Sequence, residues 1–270
     1  MFHNILDFFF VNLPALDFIF ITILVIFIGG LLRGFLGFGP ALLTIPVLAY
    51  IYSPTEALVI HIIMEIPSTL FLLPTALKYS QKKATFPLFI SMIIFIPVGM
   101  YLVVTLDPQI IRRVISVIVL FLVILLSRGW NFKSFIGFKS MVFSGVLGGF
   151  IQGIAGIGGA PIVTILMARN DSEDVSRGNI LLLMAGIVVF SITSQAFYGL
   201  ISLDLITLGF MASPIYIAAT YFGSRFYSYK GKNLFRKIAL FFLSIIALTI
   251  FFKKFFLIFF SFNFFFLLFK

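Results

Sequence analysis

A succession of long apolar runs covers nearly the whole chain. Six runs approach or reach the roughly 17–25 residues that an α-helix needs to cross a bilayer. They are approximately Ala57–Leu77, Phe86–Leu106, Ile110–Leu126, Asn179–Gly199, Leu203–Gly223 and Leu234–Phe252. A chain of 270 residues that is 61% hydrophobic and 10% charged cannot bury so much apolar surface in a soluble core. We therefore expect an all-α, polytopic membrane protein.

The charged residues indicate orientation in the membrane. Most Lys and Arg residues behind the net charge of +10 lie in short loops between apolar runs, which is the positive-inside pattern and does not require nucleic acid. The start of the chain, Met1 to Phe10, has neither a basic region nor a cleavage site of small residues, so we expect the first run to stay in the mature protein. The expected location is the cytoplasmic membrane.

Two further apolar stretches, approximately Leu16–Tyr52 and Met141–Arg169, are interrupted by glycine and proline. Both contain the pattern G-x-x-G-x-G, which begins at Gly34 in the first stretch and at Gly153 in the second. With one extra residue in the second copy, the matches continue beyond the pattern, as listed here: Thr44 with Thr164, Ile45 with Ile165, and Met64 with Met184. These matches predict an internal duplication, with repeats at residues 1–130 and 131–252 and an apolar tail at 253–270.

The loop charges predict the topology of the repeats. Three loops are basic, and their residues are Lys78, Lys82 and Lys83; Arg128, Lys133 and Lys139; and Arg225, Lys230, Lys232, Arg236 and Lys237. All three can be cytoplasmic only if Met141–Arg169 enters and returns on the same side, as a re-entrant hairpin. Each repeat then has a broken hairpin plus about three transmembrane helices, so the two repeats are inverted. Arg112 and Arg113 argue against this topology, and the first hairpin has a leading leg long enough to cross alone.

The duplicated glycine segment, followed each time by an apolar half-helix that contains proline, resembles the TauE/SafE sulfite exporter family of membrane permeases. The resemblance extends from about Leu31 to about Phe252. It differs in having Pro40 where a third glycine is usual, and in having Leu166 where the first copy has Pro46. The resemblance implies transport of sulfite, sulfonates or related organic anions.

The two glycine turns are the candidate substrate-binding residues. Proline suits the first turn of a helix, where the N–H groups and the helix dipole favour an anion. Arg33 precedes the first turn and Gln152 takes its place before the second; a guanidinium group can bind two oxygens of an oxyanion. The candidate residues are Arg33, Gly37, Gly39, Pro40, Gln152, Gly156, Gly158, Gly159 and Pro161. The alternatives are that the glycines only allow close helix packing and that Arg33 reaches toward an interface.

His61 and Glu65 lie four residues apart and share one face of a predicted span. Burial favours the neutral form of a carboxyl group, so this pair is a candidate for proton coupling. A structural hydrogen bond inside the bundle is the alternative. The second copy has Leu181 and Ala185 at the matching positions, so coupling would be confined to one repeat.

The sequence favours a transporter over an enzyme. It contains no H-E-x-x-H or G-x-S-x-G motif, no cysteine and only two histidines, so we expect neither a metal site nor a cofactor. The alternatives are an anion channel or a uniport exporter without ion coupling and, less favoured, an intramembrane enzyme. The expected partners are a small anion and the lipid bilayer, with H+ or Na+ as coupling ion and a homodimer as a candidate assembly.

The remaining charged residues are expected in loops. We expect one mixed-sign loop to face water or to pair internally; its charged residues are Arg169, Asp171, Glu173, Asp174 and Arg177. Asp107 is expected to cap a helix and to lie close enough to Arg112 and Arg113 to pair with them.

Overall fold

The computed structural model describes residues 16–127, 137–169 and 171–227, and every regular element within these ranges is an α-helix. The nine helices are α1 (Leu16–Leu36), α2 (Pro40–Ile51), α3 (Pro54–Tyr79), α4 (Lys82–Thr105), α5 (Pro108–Ser127), α6 (Phe138–Ala155), α7 (Gly159–Ala168), α8 (Glu173–Phe197) and α9 (Leu203–Phe226). The prediction of an all-helical chain is confirmed for these residues.

Five of these helices are long and apolar enough to cross a membrane: Pro54–Tyr79, Thr85–Thr105, Phe138–Ala155, Glu173–Phe197 and Leu203–Phe226. Four of these five helices match spans that the sequence predicts; the exception is Phe138–Ala155. The predicted span Ile110–Leu126 lies within α5. The predicted span Leu234–Phe252 and the tail Phe255–Lys270 lie outside the described residues. The chain is therefore a membrane protein of several spanning helices.

The helices α2 and α7 are much shorter than a membrane span. They have 12 and 10 residues, which at 1.5 Å per residue corresponds to about 18 and 15 Å, or about half of the hydrocarbon core. Each follows a longer helix after a break of three residues at one of the predicted glycine turns. Gly37, Gly39 and Gly156 have φ angles of 84°, 98° and 67°, which L side chains rarely adopt. Local backbone chemistry therefore breaks both stretches where the sequence predicts it.

The leading helix of the second broken stretch, α6, packs along α4 with its backbone in close contact. No space exists for a side chain at Gly149 or Gly153, because their Cα atoms face the carbonyl oxygens of Met92 and Ile96. The register advances by four residues on both helices, so α4 and α6 run in the same direction. Small residues allow this close approach between membrane helices.

The leading helix of the first broken stretch, α1, packs in the same way along α9. A side chain at Gly30 or Gly34 would overlap the carbonyl oxygens of Tyr216 and Thr220, respectively. The order of these contacts shows that α1 and α9 also run in the same direction. Gly34 and Gly153, the first glycines of the two copies of the motif, therefore serve helix packing, as the alternative interpretation held.

The central pair of helices, α3 and α8, runs antiparallel, with Gly178 at the start of α8 against Tyr79 at the end of α3. We call this end of the bundle the Gln81 end, after the loop between α3 and α4, and the opposite end the Asp107 end. Arg169, at the end of α7, donates a hydrogen bond to Gln81 Oε1 at 3.1 Å. Arg112, at the start of α5, donates to the carbonyl oxygens of Ala49 and Tyr52, where α2 ends. The half-helix α7 thus ends at the Gln81 end and α2 at the Asp107 end.

Arg177 corrects the expectation of a solvated, mixed-sign loop. Helix α8 begins at Glu173, and the Arg177 side chain is buried, with only 3% of its surface exposed. It donates to the carbonyl oxygens of Gly34 at 2.6 Å and Phe35 at 3.3 Å, and its guanidinium group lies over the Tyr227 ring. The physical reason is that α1 ends inside the protein, where its last carbonyl groups need buried donors.

The other loop charges are distributed as follows. Arg169 and Asp171 form the expected ion pair at 2.7 Å. The Asp107 carboxylate accepts from the backbone N–H of Gln109, as a helix cap does. The guanidinium group of Arg112, in contrast, is bound to the end of α2, because the last carbonyls of that half-helix also need donors.

Candidate functional site

A small cavity of about 30 Å³ lies where the two helix breaks meet the middle of α3. A Cβ atom placed on Gly159 would lie 4.0 Å from the Cβ atom of Phe38, so the two breaks are in direct contact. Eight of the sequence-predicted residues line this cavity: Arg33, Gly39, Pro40, His61, Glu65, Gln152, Gly156 and Gly159. The fold therefore brings both glycine turns, the arginine and the His61–Glu65 pair to one place.

Arg33 is the most deeply buried charge of the cavity, with 1% of its surface exposed. It sits in the last turn of α1 and donates from Nη1 to the carbonyl oxygen of Gly37 at 2.5 Å, and from Nη2 to Thr69 Oγ1 at 3.1 Å. Among the residues that the structure describes, its Nε–H has no hydrogen-bond partner. A buried donor without a partner is uncommon in a folded protein, and this one belongs to a side chain that lines a cavity.

Glu65 provides the negative charge of the cavity. Its Oε1 atom accepts a hydrogen bond from the Tyr216 hydroxyl at 2.9 Å. The same oxygen lies 3.8 Å from Arg33 Nε and 3.8 Å from His61 Nε2. These two distances are too long for hydrogen bonds, so Glu65 balances the charge of Arg33 without saturating its donors. The carboxylate is the point at which the arginine, the histidine and α9 converge.

His61 is held in place by a hydrogen bond to α2. The Thr44 hydroxyl donates to the carbonyl oxygen of Pro40 at 3.0 Å. Its oxygen also lies 2.8 Å from His61 Nδ1, and which of these two atoms donates depends on the tautomer of the ring. The other ring nitrogen, Nε2, faces the Glu65 carboxylate, 3.8 Å from Oε1.

Gln152 occupies the position that corresponds to Arg33, and both ends of its amide group are bonded. Its Oε1 accepts from the backbone N–H of Gly158 at 2.9 Å, and its Nε2 donates to Ser191 Oγ at 3.3 Å. The side chain therefore caps the start of α7 from within the protein. The Gly158 N–H is one of the groups expected from the sequence to bind an anion, and it is already bonded to this amide.

Three predicted residues, Gly37, Gly158 and Pro161, do not line the cavity. Gly37 supplies the carbonyl group that binds Arg33, and Pro161 is the third residue of α7, within its first turn. A side chain at Gly158 would overlap the carbonyl oxygen of Gly148, so this glycine is required for close packing between α7 and α6. A larger residue at position 158 would therefore disturb the packing of α7 on α6.

Four residues at the site were not identified as site residues from the sequence. Thr44 orients His61, Thr69 binds Arg33, Tyr216 binds Glu65, and Met184 lines the cavity beside Gly159. Thr44 and Met184 belong to the duplicated positions and carried a signal of repetition only. Tyr216 carried none, because it lies 151 residues from Glu65 and meets it only through the packing of α9 on α3.

Within the residues that the structure describes, no group of three or more His, Cys, Asp or Glu side chains could hold a metal ion. The polar side chains that line the cavity are one cation, one carboxylate, one imidazole and one amide. Charged and polar groups of this kind can bind a small ion.

A helical membrane protein with broken helices around a buried, charged cavity belongs, by its architecture, to the class of membrane transporters. The sulfite exporter TauE/SafE family model matches residues 22–250, and the chain belongs to this family. The resemblance expected from the glycine motifs is confirmed. The family is one of transporters. Comparison with curated proteins and with solved structures gives no match.

Proposed function

We propose that this chain transports a small oxyanion, such as sulfite or a small sulfonate, and binds it in the cavity between the two helix breaks. The observation that carries the proposal is the Arg33 guanidinium group, which is 1% exposed, lines a small cavity and has an Nε–H without a hydrogen-bond partner among the described residues. A buried arginine inside a membrane is costly and is retained mainly for function. Its planar fork matches two oxygens of an oxyanion, and Gly39 and Gly159 leave room for close approach.

The charges of the cavity favour coupling to a proton. Arg33 and Glu65 together are neutral, so an entering anion would add an uncompensated negative charge to a buried site. A proton on Glu65 or on His61 Nε2 would remove that charge. The 3.8 Å between Glu65 Oε1 and both neighbouring groups leaves the carboxylate able to separate from Arg33 when an anion arrives. Proton and anion would then move together.

We further propose that the two broken stretches are inverted, re-entrant hairpins. The direction of α4 and α6, together with the Arg169–Gln81 contact, supports a second hairpin that starts and ends at the Gln81 end. The parallel course of α1 and α9, together with the bond from Arg112 to the end of α2, supports a first hairpin that starts and ends at the Asp107 end. The repeats would span residues 1–130 and 131–252, as the sequence predicts.

Inversion would bring the half-helix N-termini to the substrate from opposite sides, as in other transporters with inverted repeats. We place the protein in the cytoplasmic membrane. The basic loop at Lys78, Lys82 and Lys83 would then put the Gln81 end on the cytoplasmic side. The inside-negative potential favours anion exit by about 2.3 kcal/mol per charge per 100 mV. A uniporter would therefore export, whereas import requires a coupled cation such as H+ or Na+.

The proposed function is tested by counterflow in proteoliposomes with a panel of sulfite, small sulfonates and carboxylates. We expect an oxyanion of sulfur to exchange, and Arg33→Lys to weaken its binding, because an ammonium group cannot bind two oxygens as a fork. Arg169→Lys is the matched control, since Arg169 lies at the end of α7, away from the cavity. Unchanged transport in Arg33→Lys would remove the site from consideration.

Coupling is tested separately with Glu65→Gln. We expect this variant to exchange substrate at equilibrium and to lose its response to a pH gradient, because a permanently neutral amide cannot carry the proton. A wild-type protein that shows no response to a pH or Na+ gradient would favour the alternative, an uncoupled uniport exporter or channel.

A further inference from the structure

A second and much larger recess lies on the outside of the bundle, between α3, α4 and α8. We call it the lateral crevice; its volume is about 560 Å³, within the range of about 300–1,000 Å³ that holds small-molecule ligands. Its rim includes Leu70, Phe86 and Val189, whose exposed fractions are 62%, 61% and 58%. The crevice therefore opens sideways, toward the region that the hydrocarbon of the bilayer occupies around spanning helices.

The lining of the lateral crevice is apolar along its length and polar at one end. Only Thr69, Thr85 and Lys82 interrupt the hydrophobic side chains, and Lys82 is the first residue of α4, at the Gln81 end. On α8 the lining runs from Leu182 to Ile192, which at 1.5 Å per residue is about 15 Å. This length is about half of the 30 Å hydrocarbon core, the depth of one leaflet.

We infer that the lateral crevice binds an anionic phospholipid, with an acyl chain along α8 and the phosphate group against the Lys82 ammonium. The apolar recess matches the chain, and the lysine at its polar end matches the charge of the headgroup. A zwitterionic lipid would leave the ammonium group without a net counter-charge.

The lipid site and the transport site share one residue, Thr69. Thr69 lines the lateral crevice and is the residue whose hydroxyl accepts from Arg33 Nη2 in the small cavity. An acyl chain in the crevice thus packs against the side chain that orients the arginine. The lipid site does not depend on the identity of the transported anion, so it can be tested without transport.

The test uses the full-length protein in detergent and native mass spectrometry to count bound phosphatidylglycerol against phosphatidylcholine with the same acyl chains. We expect phosphatidylglycerol to bind more tightly, and Lys82→Gln to weaken its binding about fivefold, equivalent to about 1 kcal/mol for one basic residue. Lys83→Gln is the matched control, because it removes the same charge from the next residue, which does not line the crevice. We expect it to change phosphatidylglycerol binding less than twofold.

A second variant tests the apolar part of the crevice. Ala185 lies on its wall, and Ala185→Leu should lower phosphatidylglycerol binding at unchanged surface charge by filling the space of the chain. Equal losses in Lys82→Gln and Lys83→Gln would show a general charge effect and overturn the site. Equal binding of the two lipids would also overturn the site. The same holds if a photoreactive phosphatidylglycerol labels the protein only at residues outside α3, α4 and α8.

Discussion

The buried pair formed by Arg33 and Glu65 makes a quantitative prediction about stability. Their side chains are 1% and 7% exposed, and the Arg33 Nε atom lies 3.8 Å from Glu65 Oε1. Removing one member of a buried ion pair leaves the other charge without compensation, which costs about 3–5 kcal/mol. We expect Arg33→Gln to lower the free energy of unfolding by about this amount, since the Tyr216 hydroxyl would be the one donor left to the Glu65 carboxylate among the described residues.

Glu65→Gln should cost less, about 2–3 kcal/mol, because Arg33 keeps its bonds to Gly37 and Thr69. The double variant places two neutral amides in the cavity and leaves no buried charge there. We therefore expect it to be more stable than the sum of the single losses predicts, with a coupling energy of at least about 2 kcal/mol. Unfolding in mixed micelles, followed by circular dichroism for the four proteins, gives the cycle.

The pair Arg169–Asp171 is the matched control for this cycle. Its atoms are closer, at 2.7 Å, but its side chains are 17% and 15% exposed and lie near the Gln81 end of the bundle. Pairs that water reaches contribute about 0.2–1 kcal/mol, so we expect Arg169→Gln with Asp171→Asn to couple by no more than that. A coupling energy for Arg33–Glu65 no larger than that of the control would refute the argument that burial determines the strength of this pair.

Three further outcomes follow from the geometry. Gly159→Ala should lower transport at least tenfold with little change in stability, because the new methyl group would lie 3.1 Å from Met184 Cε at the cavity wall. Gly137→Ala is the control, because open space surrounds this glycine, and this variant should transport normally in the same flux assay. Arg177→Gln should lower the thermal midpoint by several degrees, because two carbonyl groups at the end of α1 lose a charged donor; normal melting would contradict this. A cysteine placed at Lys133 should resist impermeant thiol reagents outside intact cells, and labelling from outside would contradict the inverted arrangement.

The helix breaks could be predicted because their causes are local. Positive φ angles at Gly37, Gly39 and Gly156 require glycine, and Pro40 supplies a favourable first residue for α2. These preferences act within a few residues of the chain, so a repeated motif shows them directly. The boundaries of α3, α4 and α9 follow equally from apolar runs with turn residues at their ends.

The roles of individual glycines could not be predicted, because close approach is a property of two helices. Gly39 has open space around its Cα atom, whereas Gly158, in the matching copy of the motif, lies against the carbonyl oxygen of Gly148. Both positions look alike in the sequence. What separates them is the distance to a neighbouring backbone, which depends on how α7 folds back on α6.

Arg177 was misplaced for a related reason. Near Asp174 and Asp171 it resembles a residue of a solvated loop, and only the position of the α1 terminus changes that interpretation. Helix α1 ends inside the protein, and its carbonyl groups at Gly34 and Phe35 must find donors there. A general signal follows from this case, since buried carbonyl groups at the end of a helix favour a donor side chain from elsewhere in the chain.

The two breaks are bound by side chains in different ways, and the difference bears on transport. At the first break two guanidinium groups donate to carbonyl oxygens, Arg177 outside the cavity and Arg33 on its wall. At the second break a side chain accepts instead, because the Oε1 atom of Gln152 binds the backbone N–H of Gly158. The duplicated backbone therefore carries the positive charge of the cavity in the first copy alone. The cavity holds one cation and one carboxylate, so one bound monoanion and one proton together would leave it neutral. Under the proposed proton coupling, a small monoanion is therefore the expected substrate.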